Sequence, residues 1–333
     1  MRPDRPIKNI VASVDRRLLN LARADGRSLD DVRDRYVRER FLYRLSLSPH
    51  REDYLVKGAT VLQSLAEPTY RTTKDVDLQG LPGVDPQVVL EHLRDVLGQD
   101  TSTHPDGLRF DQDSIRIEPL RPEAGHRVHR LTLVAKLGKS QYVLRMDIGY
   151  GDRPTPPPVE RTLPSLLDHP GPVVLCCRLE TSLAEKFHAV VDFDIGNTRM
   201  KDYYDFWYVA GRLPVSGHDL AAALTATFRN QGTPLRSALP VGLTDRFAQE
   251  KQADWSRFRA KLKGGERGPA HFPGLVKDVR AFLMPVVRVA ETDPDFRGRW
   301  DADRGRWTAE PFGERDDVPA PRETADRPPK GAW

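Results

Sequence analysis

Two neighbouring stretches of sequence decide the fold, KGATVL at residues 57–62 and RTTKDVDL at residues 71–78. The first follows a short apolar run at residues 54–56, so it predicts a strand that ends near Gly58 and is followed by a helix. In the second, polar residues lead into a run of alternating acidic and apolar residues, which predicts another strand. Together they indicate a sheet that is flanked by helices.

The pattern on either side predicts a sheet in the first half of the chain and helices in the second. Apolar residues recur with a period near 3.6 over the first fifty residues, which predicts two helices. The later segments predict a helix at 86–97, strands at 114–118, 127–135 and 141–148, and helices at 180–193, 200–212, 217–230, 244–263 and 274–290.

A proline-rich segment separates these halves. Four of its prolines lie between residues 154 and 158, and they predict an extended crossing over residues 153–172. We therefore expect one domain at residues 1–152, built from the N-terminal helices and the sheet, and a helical domain at residues 173–290.

Apolar periodicity fades after residue 290, which predicts a charged, proline-containing and poorly ordered tail at residues 291–333. This tail repeats Arg-Gly-Arg-Trp at residues 297–300 and 304–307. Two interpretations are open, because the tryptophans either stack on RNA bases or pack back on the protein.

The composition excludes several classes of protein. The 333 residues are 38% hydrophobic and 30% charged, and no apolar run approaches the roughly 20 residues that a membrane helix needs. The start of the chain lacks the apolar core of a signal peptide, so we expect a cytoplasmic protein with no membrane partner. The adjacent Cys176 and Cys177 form neither a disulfide framework nor a spaced zinc-ligand set. A net charge of +4 permits an anionic partner without requiring one.

Asp75 and Asp77 are the clearest candidates for chemistry. Residues two apart in a strand project from the same face, so the two carboxylates stand side by side and repel each other unless a cation lies between them. Magnesium prefers carboxylate oxygens and leaves positions open for phosphates. Asp147, at the end of another apolar strand, fits as a third ligand. The alternative interpretation is a solvated strand edge with a carboxylate in a turn.

The turn Lys57-Gly58-Ala59-Thr60 is a candidate phosphate site. Glycine lets a phosphate approach the backbone, the helix start offers unpaired N–H groups, and Lys57 and Thr60 add a cation and a hydroxyl. The turn has neither the Walker A spacing nor a GxGxxG pattern, and an ordinary strand-to-helix turn would look the same.

Lys186 is predicted to lie beside the apolar face of its helix, where it needs an anionic partner. That partner is either a substrate phosphate or a carboxylate, with Asp202 as the candidate for a structural ion pair. Asp202 and Asp205 lie three residues apart on the next predicted helix. The histidines form no recognisable set, which argues against zinc chemistry.

The order of five blocks resembles the AbiEii/AbiGii-type nucleotidyltransferase toxins, the group that includes the MenT-like toxins of mycobacteria. The blocks are KGATVL, RTTKDVDL, RMDIGYGD, ETSLAEKF and RMKDYYDFW, and the resemblance covers roughly residues 5–215. It implies an α+β, polymerase-β-like nucleotidyltransferase fold, with a small mixed sheet flanked by helices and a helical domain after it.

The resemblance also implies a function. Members act as the toxin of a toxin–antitoxin pair, and several transfer nucleotides from an NTP to the 3′ end of tRNA, which stops translation. Carried over to this chain, the turn at residues 57–60 cradles the NTP phosphates and Asp75 and Asp77 hold Mg²⁺ or Mn²⁺. Lys186 meets the triphosphate, Asp202 completes the site, and Asp147 is the third acidic position. The expected partners are the tRNA acceptor end and a cognate antitoxin, an AbiEi-like winged-helix protein.

One residue departs from the family pattern. The family usually has Gly-Gly or Gly-Ser where this chain has Gly58-Ala59, which puts NTP affinity or choice in doubt. Two alternative functions stay open: nucleotide transfer to a protein hydroxyl, as in AMP-adding relatives, and nucleotide binding without catalysis.

A tRNA substrate also requires a positive surface near the cleft. The candidates are the basic residues around the hairpin that joins the second and third predicted β stretches, with a solvated strand edge as the alternative. They are Arg121, Arg127, Arg130, Lys136 and Lys139.

Overall fold

In the computed structural model, residues 9–65, 70–120, 128–262, 266–292 and 296–309 are described. A seven-stranded mixed sheet forms the centre of the first half of the chain, and helices make up most of the second half. The expected α+β class, with a mixed sheet flanked by helices and followed by helices, is confirmed.

The sheet has the strand order β3-β4-β5-β2-β1-β7-β6. β2 runs parallel to β5 and antiparallel to β1, while β1 runs parallel to β7. The strands are β1 Tyr54–Lys57, β2 Asp75–Gly80, β3 Leu108–Leu120, β4 Val128–Leu137, β5 Ser140–Tyr150, β6 Val159–Thr162 and β7 Val173–Cys176.

One face of this sheet is apolar and is covered by helices. Ser28 caps the second helix through its hydroxyl, and Asp85 followed by Pro86 starts the fourth. Apolar side chains of these helices pack against Val76, Leu78 and their neighbours on the sheet. The helices of this half are α1 Ile10–Ala24, α2 Leu29–Leu47, α3 Gly58–Leu65 and α4 Pro86–Leu97.

The second half has a core of its own, rich in aromatic rings from Tyr203, Phe247, Trp255 and Phe272. Its helices are α5 Leu179–Phe193, α6 Met200–Ala210, α7 Gly217–Asn230, α8 Asp245–Glu250, α9 Gln252–Lys261 and α10 Phe272–Thr292. The single helix expected at 244–263 is two helices that meet at Lys251, because Thr244 caps the first of them and Lys251 leaves the helical conformation.

The segment expected to be a bare crossing contributes a strand. β6 pairs with β7, and β7 joins β1, so residues 159–162 and 173–176 complete the sheet. The sequence pattern does not predict these strands because each has only four residues and gains its partners from distant parts of the chain. The division into domains at residues 153–172 stays a prediction.

Residues 296–309 of the predicted tail are folded. β9 Arg299–Asp301 and β10 Arg306–Thr308 form a hairpin, and β9 also pairs with β8 Val215–Ser216. The expectation of poor order is wrong for this part, because Trp300 is buried against Phe282 and supplies the apolar contact that the composition did not reveal. Residues 310–333 lie outside the described residues.

Within the part of the chain that the structure describes, none of the helices combines the length and the apolar character that a crossing of a bilayer requires.

Candidate active site

The face of the sheet opposite α2 and α4 is polar and carries the candidate acidic residues. Asp77 lies opposite Asp147 on the parallel neighbour β5 and opposite Lys57 on the antiparallel neighbour β1. Asp75 projects from the same face two residues earlier. The structure therefore brings Lys57, Asp75, Asp77 and Asp147 together on one face of the sheet.

Asp75 and Asp77 are partly buried carboxylates without a partner. Neither side chain accepts a hydrogen bond or joins an ion pair with any residue that the structure describes. Two adjacent acceptor-only groups on one face repel each other and leave oxygen lone pairs unused. The pair, with Asp147 beside it, fits the oxygen ligands of a hard divalent cation.

Gly58 lies directly against Asp77. Its φ is +62°, which L side chains rarely adopt, and a Cβ at this position would overlap Asp77 Oδ2. The strand-to-helix turn and the carboxylate are thus in contact, and only glycine permits the approach. Ala59, the departure from the family pattern, has its side chain buried at the start of α3, 5% exposed.

Positive charge reaches Asp77 from the helical half. Burial raises the pKa of Asp77, and the neighbouring Asp147 and Asp75 raise it further, while Lys201 and Lys186 act in the opposite direction. Sequence reasoning missed Lys201, although it stands next to Asp202 in the RMKDYYDFW block. The electrostatics therefore connect the carboxylates of the sheet with α5 and α6.

Lys57 is bound by polar groups on the same face. Its Nζ donates to Gln79 Oε1 over 3.2 Å and forms an ion pair with Glu185 of α5. Burial alone would lower the pKa of Lys57, but the Glu185 carboxylate raises it above its ordinary value. This ion pair joins the sheet to the helical half.

Lys186 is held by two carboxylates of α6. Its Nζ lies 3.0 Å from Asp202 Oδ1 and 3.0 Å from Asp205 Oδ2, and both aspartates are buried. Arg199 donates to the other oxygen of Asp202 over 2.7 Å. Of the two interpretations left open by the sequence, the structural ion pair with Asp202 is present. It holds Lys186 within electrostatic reach of Asp77.

Asp205 connects α6 to the approach to β2. Arg71 donates two hydrogen bonds of 2.6 Å to its carboxylate, and the Tyr70 hydroxyl donates a third. Burial alone would raise the pKa of Asp205, but Arg71 and Lys186 lower it to about 2. The polar start of the RTTKDVDL block is thus fixed by the second acid of the KDYYD sequence.

Arg130 of β4 binds Asp147 through two hydrogen bonds of 2.8 and 2.7 Å. Asp147 therefore already has a cationic partner, unlike Asp75 and Asp77. Lys136 pairs with Asp111, and Lys139 is exposed in the β4–β5 turn, about 20 Å along the strand from Arg130. The candidate RNA-binding residues in the described part do not form one cluster, because Arg130 lies near the start of β4 whereas Lys136 and Lys139 lie at its end and in the turn after it. Arg121 and Arg127 lie outside the described residues.

A cleft of about 520 Å³ opens on the polar face beyond Lys57 and Gln79. Its walls are the end of β5 with residues 149–152 and the facing surfaces of α5 and α7. Thr181 of α5 is 3% exposed, and its Oγ1 has no hydrogen-bond partner among the described residues. The cleft therefore adjoins the carboxylates and offers polar groups to a ligand.

A histidine cluster lies at the opposite end of β1. Ligand atoms of His50, Asp53 and His92 lie within 4.8 Å of one another, so the expectation of no histidine set is wrong. The imidazole rings of His50 and His92 stack with centroids 3.7 Å apart. His50 Nε2 lies 2.9 Å from Asp95 Oδ2 and His92 Nδ1 lies 3.1 Å from the Tyr54 hydroxyl, so both rings already have hydrogen-bond partners and we assign no ion to this cluster.

A family model described as "Nucleotidyl transferase AbiEii toxin, Type IV TA system" matches residues 40–285. The match spans most of the chain and includes the turn at Gly58, the Asp75–Asp77 pair, Lys186 and Asp202. The chain belongs to this family. It is therefore an AbiEii-family nucleotidyltransferase of the type IV toxin–antitoxin class, and the resemblance predicted from the five sequence blocks is confirmed.

Two solved structures are also similar to this AbiEii-family protein. The crystal structure of JHP933 from Helicobacter pylori is 13% identical with a TM-score of 0.42, and the match covers 77% of this chain and 90% of the other. A second H. pylori crystal structure, provisionally assigned as a nucleotidyltransferase, is 14% identical with a TM-score of 0.36. That match covers 77% of this chain and 92% of the other. Among curated proteins, no relative matches the chain.

Proposed function

We propose that this AbiEii-family protein transfers a nucleotide from an NTP to the 3′-hydroxyl of tRNA and so blocks translation in the cytoplasm. The observation that supports the proposal is the pair of unpartnered carboxylates, Asp75 and Asp77. Asp77 lies against Gly58 and within electrostatic reach of Lys186 and Lys201. Unpaired acids beside a phosphate-sized turn and two cations suit a metal–triphosphate complex.

Asp75 and Asp77, with Asp147, would hold Mg²⁺ or Mn²⁺. When bound, the metal would neutralise charge on the attacking and leaving oxygens and lower the pKa of the hydroxyl. Arg130 donates one hydrogen bond to each oxygen of Asp147. Asp147 can therefore bind the metal only if it shares its carboxylate with Arg130. The metal ligands with free lone pairs are therefore Asp75 and Asp77.

The turn at residues 57–60 is proposed to bind the phosphates through its backbone N–H groups, with Lys57 and Thr60 beside them. Lys186 and Lys201 offset negative charge on the triphosphate, and Asp202 fixes the Lys186 ammonium over 3.0 Å. The 3′-hydroxyl attacks the α-phosphorus in line. A new P–O bond forms, the bond to the β-phosphate oxygen breaks, pyrophosphate leaves, and the hydroxyl proton passes to water.

The partners proposed for this protein are the acceptor end of tRNA and a cognate antitoxin of the AbiEi-like winged-helix type. The type IV toxin–antitoxin class supports an antitoxin in general. For RNA, Arg130 stands on the polar face, while Lys136 and Lys139 offer positive charge at the far end of β4. Phosphate contacts of this kind weaken steeply as salt increases, so a salt titration of tRNA binding tests them.

The substitution Asp77→Asn tests the proposed function. We expect loss of nucleotide incorporation by at least about 10³-fold, because a metal ligand with a negative charge becomes neutral. The fold should be retained, since the change removes like-charge repulsion beside Asp75 and Asp147 and opens no cavity. The measurement is incorporation of labelled NTPs into total tRNA with magnesium, together with the melting temperature of each protein.

Asp113→Asn is the matched control, because Asp113 is an exposed acid on β3. Full activity of Asp77→Asn would remove the carboxylates from the mechanism. Label that appears on the antitoxin or on other proteins, and not on tRNA, would favour transfer to a protein hydroxyl. Binding of an NTP without turnover on any acceptor would favour a nucleotide-binding module that is not catalytic.

A further inference from the structure

A small pocket lies between α2, α3 and the loop before β7, beside the start of α3. Arg35 and Arg38 of α2 and Thr60 and Gln63 of α3 line it on one side, and Leu163, Pro164 and Pro172 form an apolar wall on the other. None of the arginines of α2 was a candidate in the sequence, because a charged residue on a helix is usually solvated.

Arg38 is a buried cation whose charge is favoured at a distance by Asp34 and Asp75 but by no direct ion pair with a described residue. It is 7% exposed, and the hydrogen bond that it makes runs from Nη1 to the Lys74 carbonyl over 3.4 Å. No ion pair joins it to an acidic residue in the described ranges. Burial lowers the pKa of Arg38 to about 10, because the charges of the neighbouring acids offset only part of the cost of burial. A buried guanidinium without a carboxylate partner is costly, and a bound anion would offset that cost.

Arg35 lies one helical turn earlier and is partly buried. Its side chain makes no hydrogen bond or ion pair with a described residue, and burial lowers its pKa. Other arginines of α2 are paired: Arg33 with Asp15, and Arg40 and Arg44 with Asp106. The unpaired arginines are the two that line the pocket.

The acid nearest to the pocket favours the charge of Arg35 without forming an ion pair with either arginine. Glu39 also lines the pocket, but its carboxylate accepts from the Ser165 hydroxyl and the Leu166 N–H over 2.7 Å each. Both oxygens therefore already accept hydrogen bonds, and Glu39 Oε1 also lies 3.5 Å from Arg40 Nη1. Thr60 Oγ1, on α3, is buried and has no hydrogen-bond partner among the described residues.

The size of the pocket fits a single phosphate group. Its volume is about 50 Å³. A water molecule needs roughly 10–15 Å³ of cavity volume, so the pocket has room for about four atoms of that size. A phosphate group has four oxygens. Two guanidinium forks and a free hydroxyl suit the geometry of a phosphate, which accepts several charge-assisted hydrogen bonds.

The pocket adjoins the candidate active site on its phosphate side. Thr60 follows Gly58 by two residues, and Gly58 contacts Asp77. Arg38 binds the carbonyl of Lys74, the residue before Asp75. Asp75, at the start of β2, also acts on the charge of Arg38. A triphosphate whose α-phosphate lies at Asp75 and Asp77 would therefore pass round the start of α3, from the polar face of the sheet to the side covered by α2, to reach Arg35 and Arg38.

We propose that Arg35 and Arg38, with the hydroxyl of Thr60, bind the terminal phosphate of the nucleoside triphosphate. This inference rests on the proposed function and names the residues that distinguish a triphosphate from a monophosphate. The alternative source of the same group is a backbone phosphate of the acceptor RNA.

The test compares ATP, GTP, CTP and UTP with their monophosphates, by calorimetry with magnesium, on the whole protein and on Arg35→Gln and Arg38→Gln. We expect each variant to lose about tenfold or more of the preference for triphosphate, as the loss of one charge-assisted hydrogen bond implies. Monophosphate affinity should be unchanged. Without ligand, the melting temperature of Arg38→Gln should equal or exceed that of the unmodified protein, because an uncompensated buried charge has been removed.

Arg33→Gln is the matched control, because it removes the same charge from the same helix at a residue paired with Asp15. Variants that keep the full triphosphate preference would overturn the inference while leaving the proposed function intact. An equal loss for monophosphates with a lower melting temperature would assign the arginines a structural role. Loss of tRNA binding alone would assign the pocket to RNA, and an unmodified protein that binds no NTP would overturn both proposals.

Discussion

At the residue scale, Gly58 is the position where the structure most clearly requires one particular amino acid. Its positive φ and its contact with Asp77 are two independent reasons for glycine, one from the backbone and one from the neighbouring carboxylate. The sequence predicted a glycine at a strand-to-helix turn. It did not show that the missing side chain makes room for an acid from the next strand.

Gly58→Ala is predicted to reduce activity more than stability. The left-handed backbone costs an alanine about 1 kcal/mol, and the Cβ has to displace the Asp77 carboxylate. We expect a fall in NTP incorporation of at least about 10²-fold, because displacement of a reacting group by about 1 Å has effects of this size. Activity and chemical unfolding are measured on the same preparation.

Gly83→Ala serves as the control, because Gly83 also has a positive φ but nothing lies within 4 Å of an added Cβ. Equal effects of both substitutions on activity would show that backbone strain, and not contact with Asp77, explains the result.

At the element scale, the Asp205 cluster fixes α5, α6 and the approach to β2 relative to one another. Lys186 comes from α5, Asp205 from α6, and Tyr70 and Arg71 from the chain that leads into β2. Because Lys186 is within electrostatic reach of Asp77, this cluster also positions charge at the candidate active site.

Asp205→Ala is predicted to destabilise the protein by about 3–5 kcal/mol at pH 7, since it leaves Arg71 and Lys186 buried without their common partner. The pKa of Asp205 is about 2 in the folded state and roughly 3.9 when unfolded. Its ionised form therefore stabilises the fold above about pH 4, and this contribution is lost as the pH falls toward 2. Urea unfolding across that pH range measures both effects.

Asp192→Ala, an exposed acid on α5, is the control and should change the free energy of unfolding by less than about 0.5 kcal/mol. A difference between Asp205→Ala and the unmodified protein that stays constant from pH 7 to pH 2.5 would contradict the assigned pKa.

At the scale of the whole molecule, the β9–β10 hairpin closes the helical half. Trp300 is 3% exposed, donates from Nε1 to the Ala210 carbonyl over 2.7 Å, and packs edge-on against Phe282. Trp307 stacks on the same Phe282 ring and donates to its carbonyl. The sequence left two interpretations of the repeated Arg-Gly-Arg-Trp. These contacts agree with the one in which the tryptophans pack back on the protein.

Trp300→Ala is predicted to lower the free energy of unfolding by about 3–5 kcal/mol, the usual effect of truncating a buried aromatic side chain. Denaturant unfolding measures it, and tRNA binding is followed in parallel. Arg304→Ala, an exposed residue in the hairpin turn, is the control. A stable Trp300→Ala protein that has lost tRNA binding would instead favour stacking of the tryptophan on RNA.

Local signals in the sequence determined much of the architecture. The alternation around Asp75 and Asp77 placed both acids on one face, the proline at residue 86 and the apolar period located α4 at its observed bounds, and the order of the blocks identified the family. These features depend on interactions within a few residues, so the sequence pattern contains them directly.

Tertiary structure decided the remainder, because it depends on which distant segments meet. It paired the four-residue strands β6 and β7 with β1 and bound Lys186 between two aspartates. It also placed the partly buried Arg35 and the buried Arg38 beside Thr60, with no ion pair from either to a described residue. Burial and pairing of a charge arise from the packing of separate elements, and no periodicity along the chain records which neighbours a side chain will have.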